Sequence, residues 1–274
     1  MKKKHWKMLA LAVALALLVG LGWFANAMVG NPVSRYLAER SAEKYLSENH
    51  PGTDLSIDRV TYSFKDGRYH AFVSSPSSVD TYFSIAIEMT GKVKYNTYDS
   101  VTKKFNTASR LDQEYRELTE TAFEHPSFPY ELHIGYGRLE IYPKEFLEDP
   151  DSTDIPDYAL VQDELVLDRV YDIHELGAQA GHLIVYADSD TITAEEAAGI
   201  MLDIRQCMEE AGIPFRTMDF HLQLPRPEEG PRPEGSVDVK EVPCEEIYEE
   251  GMADRVRQAD RALKAYYAEL DGEK

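Results

Sequence analysis

The strongest feature of the hydrophobic pattern is an unbroken run at the N-terminus. Met8 to Met28 is 21 residues without a charge, and a helix of that length covers roughly 30 Å, one hydrocarbon core. Lys2, Lys3, Lys4 and Lys7 precede the run, and residues 1–30 hold no acidic residue. The positive-inside rule therefore predicts a cytoplasmic N-terminus and an extracytoplasmic remainder. Trp6 and Trp23, the two tryptophans of the chain, stand toward the ends of the run, where an aromatic belt lies. Ala25-Asn26-Ala27 also fits a signal-peptidase site, so secretion after cleavage following Ala27 is the competing reading. The run is longer than the usual apolar region of about 7–15 residues in a signal peptide, which favours a retained anchor.

Beyond the run the pattern becomes periodic. Asn31-Pro32 reads as a cap and first helical position, followed by Val33, Tyr36, Leu37, Ala42, Tyr45 and Leu46 at helical spacing and a stop at His50-Pro51-Gly52. Period two then takes over. Leu55 to Phe64, the turn Asp66-Gly67 and Tyr69 to Val73 predict a hairpin, and Phe83 to Met89 and Lys92 to Tyr98 predict two more strands. A helix and a four-stranded antiparallel meander thus make one unit, residues 31–105.

A second helix is expected from Ser109 to His125-Pro126, with strands at Tyr130 to Ile134 and Arg138 to Tyr142. The order helix, His-Pro, strand, strand matches that of the first unit and raises the idea of a duplication, although His-Pro also simply ends helices. After an acidic, proline-containing loop at 148–157 come expected strands at Glu164 to Val170 and Leu183 to Ala187. Thr193 with Glu196 three residues on reads as a capping box for a helix that carries Ala197, Ile200, Ile204, Cys207 and Ala211 in a stripe and ends at Gly212. A strand follows with Met218, Phe220, Leu222 and Leu224 on one face. Pro225 to Gly235 is a loop, and the last helix, with Met252, Val256, Ala259, Leu263, Tyr266 and Leu270 as its seam, is expected to dock on its own domain because the seam is too short for a coiled coil.

Composition sharpens this picture in two respects. The chain has 29 Lys+Arg against 49 Asp+Glu, a net charge of -20. Outside residues 1–30 the balance is 25 basic against 49 acidic, or -24 on 244 residues, which argues against a nucleic-acid partner. Seventeen Tyr and ten Phe exclude a wholly disordered acidic chain.

No catalytic or cofactor motif emerges. His174-Glu175 lacks a second histidine one helical turn on, since His182 lies eight residues away. Asp149, Asp151 and Asp154 supply oxygen ligands, but Thr153 and Asp154 depart from the EF-hand pattern, and a solvated loop is the simpler reading. Asp188-Ser189-Asp190 places negative charge before a helix N-terminus. Cys207 reads as a packing residue, with pairing to Cys244 open on an exported side.

Several stretches resemble the YfjL-like family of Gram-positive bacteria: Gly30-Asn31-Pro32-Val33-Ser34-x-Tyr36-Leu37, Tyr45 with Pro51-Gly52-Thr53, His70 to Ser78 with Asp80 to Phe83, Tyr171-Asp172-Ile173-x-Glu175-Leu176-Gly177, Ala180-Gly181-His182 and Gly212-Ile213-Pro214-Phe215. The resemblance implies a small membrane-anchored or lipoprotein-like protein of no assigned activity, and it supplies no catalytic residues. No Cys lies near the end of the apolar run, so a lipid anchor is not supported. The first unit also has the element order of PepSY-like modules, a likeness of topology alone.

The resulting expectation is an α+β protein with an N-terminal transmembrane helix (1–30) and two small helix-plus-sheet units (31–105 and 106–274), anchored in the membrane and working by binding at the cell envelope, with another exported protein as partner. No enzymatic activity, cofactor, metal or nucleic acid is expected. The rival is an envelope hydrolase drawing on His70, His133, His182 or His221. A third reading is a PepSY-like inhibitor or chaperone of an exported protease. The aromatic strands Tyr62 to Phe72 and Tyr82 to Tyr98 read either as core and cross-strand pairs or as a ligand face.

Overall fold

The computed structural model describes residues 2–126, 128–149, 152, 155–227, 230–231, 233 and 235–272. The chain divides into two compact units, Met1–Asn106 and Thr107–Lys274.

The first unit opens with α1 (Lys2–Val29), long and apolar enough by length and composition to cross a membrane. Gly30 ends it at φ +71°, its N–H bonded to the Asn26 carbonyl. A β-carbon here would sit 2.3 Å from the Tyr69 hydroxyl, so the turn admits only glycine. Asn31 then caps α2 (Pro32–Asn49), its side chain accepting from Ser34 N at 2.8 Å, as the Asn-Pro pair predicts. The buried face of α2 is Ser34, Ala38, Ala42 and Leu46, a four-residue spacing of mostly small side chains that lets the helix lie close to a sheet.

That sheet is β1 (Ser56–Ser63), β2 (Arg68–Ser75), β3 (Ser78–Ile87) and β4 (Val93–Asn96), antiparallel and in chain order, the expected meander. Alternation divides its residues cleanly. Tyr69, Ala71 and Val73 stand opposite Ile87, Ile85 and Phe83, and all six are buried. The short helix α3 (Asp99–Thr102) buries Val101 beside β3, and Asn106, in the first turn of α4 (Phe105–Phe123), donates to the carbonyls of Asp80 and Tyr82.

In the second unit, β5 (Leu132–Leu139) is one continuous strand where two, Tyr130 to Ile134 and Arg138 to Tyr142, are expected. Gly135 and Gly137 act as gaps in it: a β-carbon on Gly137 would lie 2.6 Å from the Tyr115 ring. The chain continues through β6 (Ile141–Tyr142), α5 (Lys144–Leu147), β7 (Leu160–Val161), α6 (Ile173–Ala180), β8 (Gly181–Asp188), α7 (Ala194–Glu210), β9 (Thr217–Gln223), β10 (Ser236–Pro243) and α8 (Met252–Gly272). The main sheet has the order β10-β9-β8-β5. It is mixed: β8 and β9 are parallel, joined through α7, and the outer strands are antiparallel to them.

The core of this unit lies between α7 and the face of Leu183, Val185, Met218, Phe220 and Leu222. Tyr115 is fully buried within it and donates to the Pro214 carbonyl at 3.0 Å. Apolar docking of α8 is confined to its first half: Met252 and Val256 are buried, whereas Tyr266 and Leu270 are exposed. Farther along, α8 holds β10 by polar contacts, Asp260 accepting from Asp238 N at 2.9 Å, Lys264 donating to the Ser236 carbonyl at 2.8 Å and Tyr267 accepting from Lys240 at 2.8 Å.

Two further expectations change, and one strand is added. Glu164 to Val170 is not a strand: a 3-10 turn at Gln162–Glu164 leads into irregular chain in which Leu165 is buried and Val170 is 91% exposed. The duplication fails, because the first unit's helix leads into a hairpin and the second unit's into a single strand of a differently ordered sheet. The strand β10 goes beyond the sequence reading.

Candidate functional site

Two surfaces concentrate polar and aromatic side chains. The first is the face of the β1–β4 sheet turned away from α2. Phe72, Ser84, Ser74 and Tyr82 come together there through the β2–β3 register. Arg59 lies over the Phe72 ring, 4.5 Å from its centre, a cation–π contact that keeps the guanidinium over an apolar surface. Asp58 accepts from Ser74 at 2.8 Å, and Thr97 accepts from Ser84 N at 2.9 Å. A groove of about 430 Å³ runs over these residues.

The aromatic strands named from sequence therefore split between the two readings. Tyr69 and Phe83 are core, while Tyr82 and Tyr95 are each 45% exposed. Arg59, Phe72 and Tyr82 can offer ring faces and hydrogen-bond donors to an extended chain or a flat ligand.

The second surface is an ion cluster in the second unit. Register puts Arg138 of β5 beside His182 of β8, and His182 beside Thr217 of β9. Glu140, 2% exposed, receives both arms of Arg138 at 2.7 Å, the Tyr142 hydroxyl at 2.7 Å and His182 Nδ1 at 2.6 Å. His182, 6% exposed, carries Asp219 Oδ1 3.0 Å from its Nε2. That approach lies off the N–H axis, so the contact is one of charge more than a directed hydrogen bond. Asp219 also accepts from Glu241 N at 2.7 Å, where a bulge in β10 puts Glu241 at φ +52°. Tyr158 and Thr217 share a 2.7 Å hydrogen bond alongside.

The charges are set by these partners. Burial opposes ionisation of Glu140, but hydrogen bonds from His182, Tyr142 and Arg138 prevail and hold it at about 2. Burial likewise opposes the imidazolium, yet Asp219 and Glu140 raise His182 to about 9. At neutral pH the cluster is two cations facing two carboxylates. A general base works best with a pKa near the operating pH, and an imidazole held protonated cannot accept a proton from a nucleophile.

The other histidines do not join it. His70 contacts Asp66 at 3.0 Å on the first unit. His133 is exposed on β5. His221 contacts Asp238 and stacks on Tyr186, and Asp238 is lowered, burial being outweighed by hydrogen bonds from His221 and Ser236. His174 is exposed and reaches the Gly212 carbonyl at 2.8 Å, while Asp172 caps α6. Thr193 caps α7 as expected, but Glu196 turns to Ser189, leaving the capping box half made. Cys207 and Cys244 are both unpaired, half-buried thiols raised by burial. Asp151, Thr153 and Asp154 lie outside the described residues, and among the described residues no three His, Cys, Asp or Glu side chains converge as metal ligands.

Fold and surfaces together define an α+β protein with one N-terminal apolar helix and two sheet-containing units. A YfjL-like N-terminal domain model matches residues 3–100 and a YfjL-like C-terminal domain model matches residues 114–257. The chain belongs to the YfjL-like family, as the residue-level resemblance implies. No curated protein and no solved structure matches it.

Proposed function

We propose that the chain is a single-pass membrane-anchored extracytoplasmic protein, its N-terminus cytoplasmic, that works by binding and not by chemistry. The observation that carries the anchored reading is the join between α1 and the first sheet. Tyr62 donates to the Ala27 carbonyl at 3.0 Å, and Tyr69 exchanges hydrogen bonds with the Asn31 backbone at 2.8 Å in both directions. Asn26 Oδ1 accepts from Asn31 Nδ2 at 2.8 Å. The last turn of the apolar helix is thus bonded into the first unit, and cleavage after Ala27 would remove three hydrogen bonds, those from Tyr62 to Ala27 and from Asn31 and Gly30 to Asn26. The lysines before the span favour the cytoplasmic side for the N-terminus.

The binding reading rests on the open face of the first sheet, where aromatic side chains stay exposed beside Arg59 and Asp58, and on the closed, charge-balanced state of the His182 cluster. An exported protein that lays a segment along the groove is the partner this face suits. The test is crosslinking in intact envelopes followed by recovery of the tagged full-length chain. A protein recovered with the natural chain and lost with Tyr82→Ala supports the reading; failure to recover any reproducible partner counts against it.

A further inference from the structure

The geometry points to a second membrane contact beyond α1: the anchor end of the first unit, formed by Phe64 and Lys65 in the β1–β2 turn and Val33 and Tyr36 on the first turns of α2, seats in the phospholipid headgroup layer. This inference rests on α1 being retained as an anchor.

Three observations carry it. The first is position. The Tyr62 to Ala27 bond fixes the end of β1 against the last turn of α1, and Phe64 follows Tyr62 by two residues. Val33 follows Val29 by four residues across the Gly30-Asn31 turn, at most about 14 Å of chain, while each headgroup layer adds roughly 5–7 Å to the hydrocarbon core.

The second is the exposure of side chains that a soluble surface has no reason to display together. Val33 is 70% exposed, Phe64 58% and Tyr36 55%. All three stand at the end of the unit from which the apolar helix leaves. Exposed apolar residues grouped at one place mark an interaction surface, and aromatic rings favour the boundary between acyl chains and headgroups.

The third is charge. Residues 31–106 carry ten Lys+Arg against nine Asp+Glu, whereas residues 107–274 carry fifteen against forty. The acidity of the chain is confined to the unit without the anchor. The near-neutral unit can approach an anionic leaflet without repulsion, and Lys65 stands among the exposed apolar positions as a partner for phosphate, while Arg35 gives its Nε to Glu39 at 3.0 Å. The opposite end of the same sheet is some 25 Å away along β2 by strand rise, so the unit would sit on the bilayer by one end.

The test is depth-dependent quenching of single tryptophans in the full-length chain, reconstituted in nanodiscs whose phospholipids carry bromine near the top of the acyl chains. Three variants in a Trp6→Phe, Trp23→Phe background report on the surface: Phe64→Trp, Tyr36→Trp and, at the far turn of the sheet, Val79→Trp. A fourth chain keeps Trp23 with only Trp6→Phe and reports on the anchor. The expected result is emission lowered about twofold at positions 23, 64 and 36, with position 79 unaffected, as for rings at the acyl and headgroup boundary. Quenching at 23 with none at 64 and 36 overturns the headgroup contact and leaves the anchor standing. Equal quenching at 79 and 64 also overturns it, since one end would not be selected. No quenching at 23 overturns the anchor, and this inference with it.

Discussion

The Tyr62 hydroxyl donates to the Ala27 carbonyl across 35 residues of sequence, at 3.0 Å. Ala27 belongs to the last turn of the apolar helix and Tyr62 to the first strand of the unit that follows it. Where the helix ends, the folded unit has therefore already begun, and the link between them is bonded structure, not a free tether.

Gly30→Ala tests that junction. The substitution imposes a β-carbon 2.3 Å from the Tyr69 hydroxyl at φ +71°. A left-handed non-glycine residue alone costs about 1–2 kcal/mol, and the displaced tyrosine adds to it, so the first unit should lose about 2–3 kcal/mol. Thermal unfolding of the full-length chain in detergent checks this. Gly52→Ala, also at positive φ but with open space around it, should cost less.

The His182 cluster predicts a pH signature. Because the folded pKa of about 9 lies above the ordinary 6.5, protonated His182 stabilises the fold fully below pH 6.5, and that contribution is lost as pH rises through 9. For Glu140 the sign reverses: its contribution is present above 4.5 and lost as pH falls through about 2. His182→Gln removes the cation between Glu140 and Asp219, leaving Arg138 alone on Glu140, and should cost about 3 kcal/mol at pH 6. Urea midpoints measured from pH 6 to 9 should fall in the natural chain and flatten in the variant. Nitrogen chemical shifts should report both ring nitrogens protonated at pH 7.5.

Neighbouring aromatics in β3 should behave oppositely. Phe83→Ala empties a core position and should cost about 3–5 kcal/mol, while Tyr82→Ala should change stability by less than about 0.5–1 kcal/mol. Only Tyr82→Ala should remove a crosslinked partner without unfolding the unit. Calorimetry alongside partner recovery separates the two effects.

The two halves of α8 give a further contrast. Val256→Asp buries an unpaired carboxylate at a site 2% exposed and should cost about 3 kcal/mol or more. Ending the chain after Lys264 removes Tyr266, Tyr267 and Leu270, all exposed, with one exposed hydrogen bond from Lys240 to Tyr267, and should cost less than about 1 kcal/mol.

Much of the first unit was legible because its signals are local. Asn31-Pro32 is a cap whatever surrounds it, Asp66-Gly67 is a turn, and Tyr69 to Val73 alternates as a strand with one covered face must. The second unit was harder. Gly135 and Gly137 resemble turn residues, and only the position of Tyr115 and Thr119 reveals that they are gaps in a continuous strand. Val237 and Val239 alternate clearly, but the bulge at Glu241 interrupts the pattern before it becomes long. The ion cluster is the product of register: Arg138, His182 and Asp219 are remote in sequence, and strand pairing brings them together. One signal was available, Glu140 standing between Leu139 and Ile141, since a carboxylate inside an apolar stretch needs a partner.

The central claim is that α1 stays attached and anchors the ectodomain. Intact-mass measurement of the native protein after separation of membranes from medium tests it most directly. An uncleaved chain that retains residues 2–27 is expected in the membrane fraction; a chain beginning at Met28 and recovered from the medium would overturn the anchor.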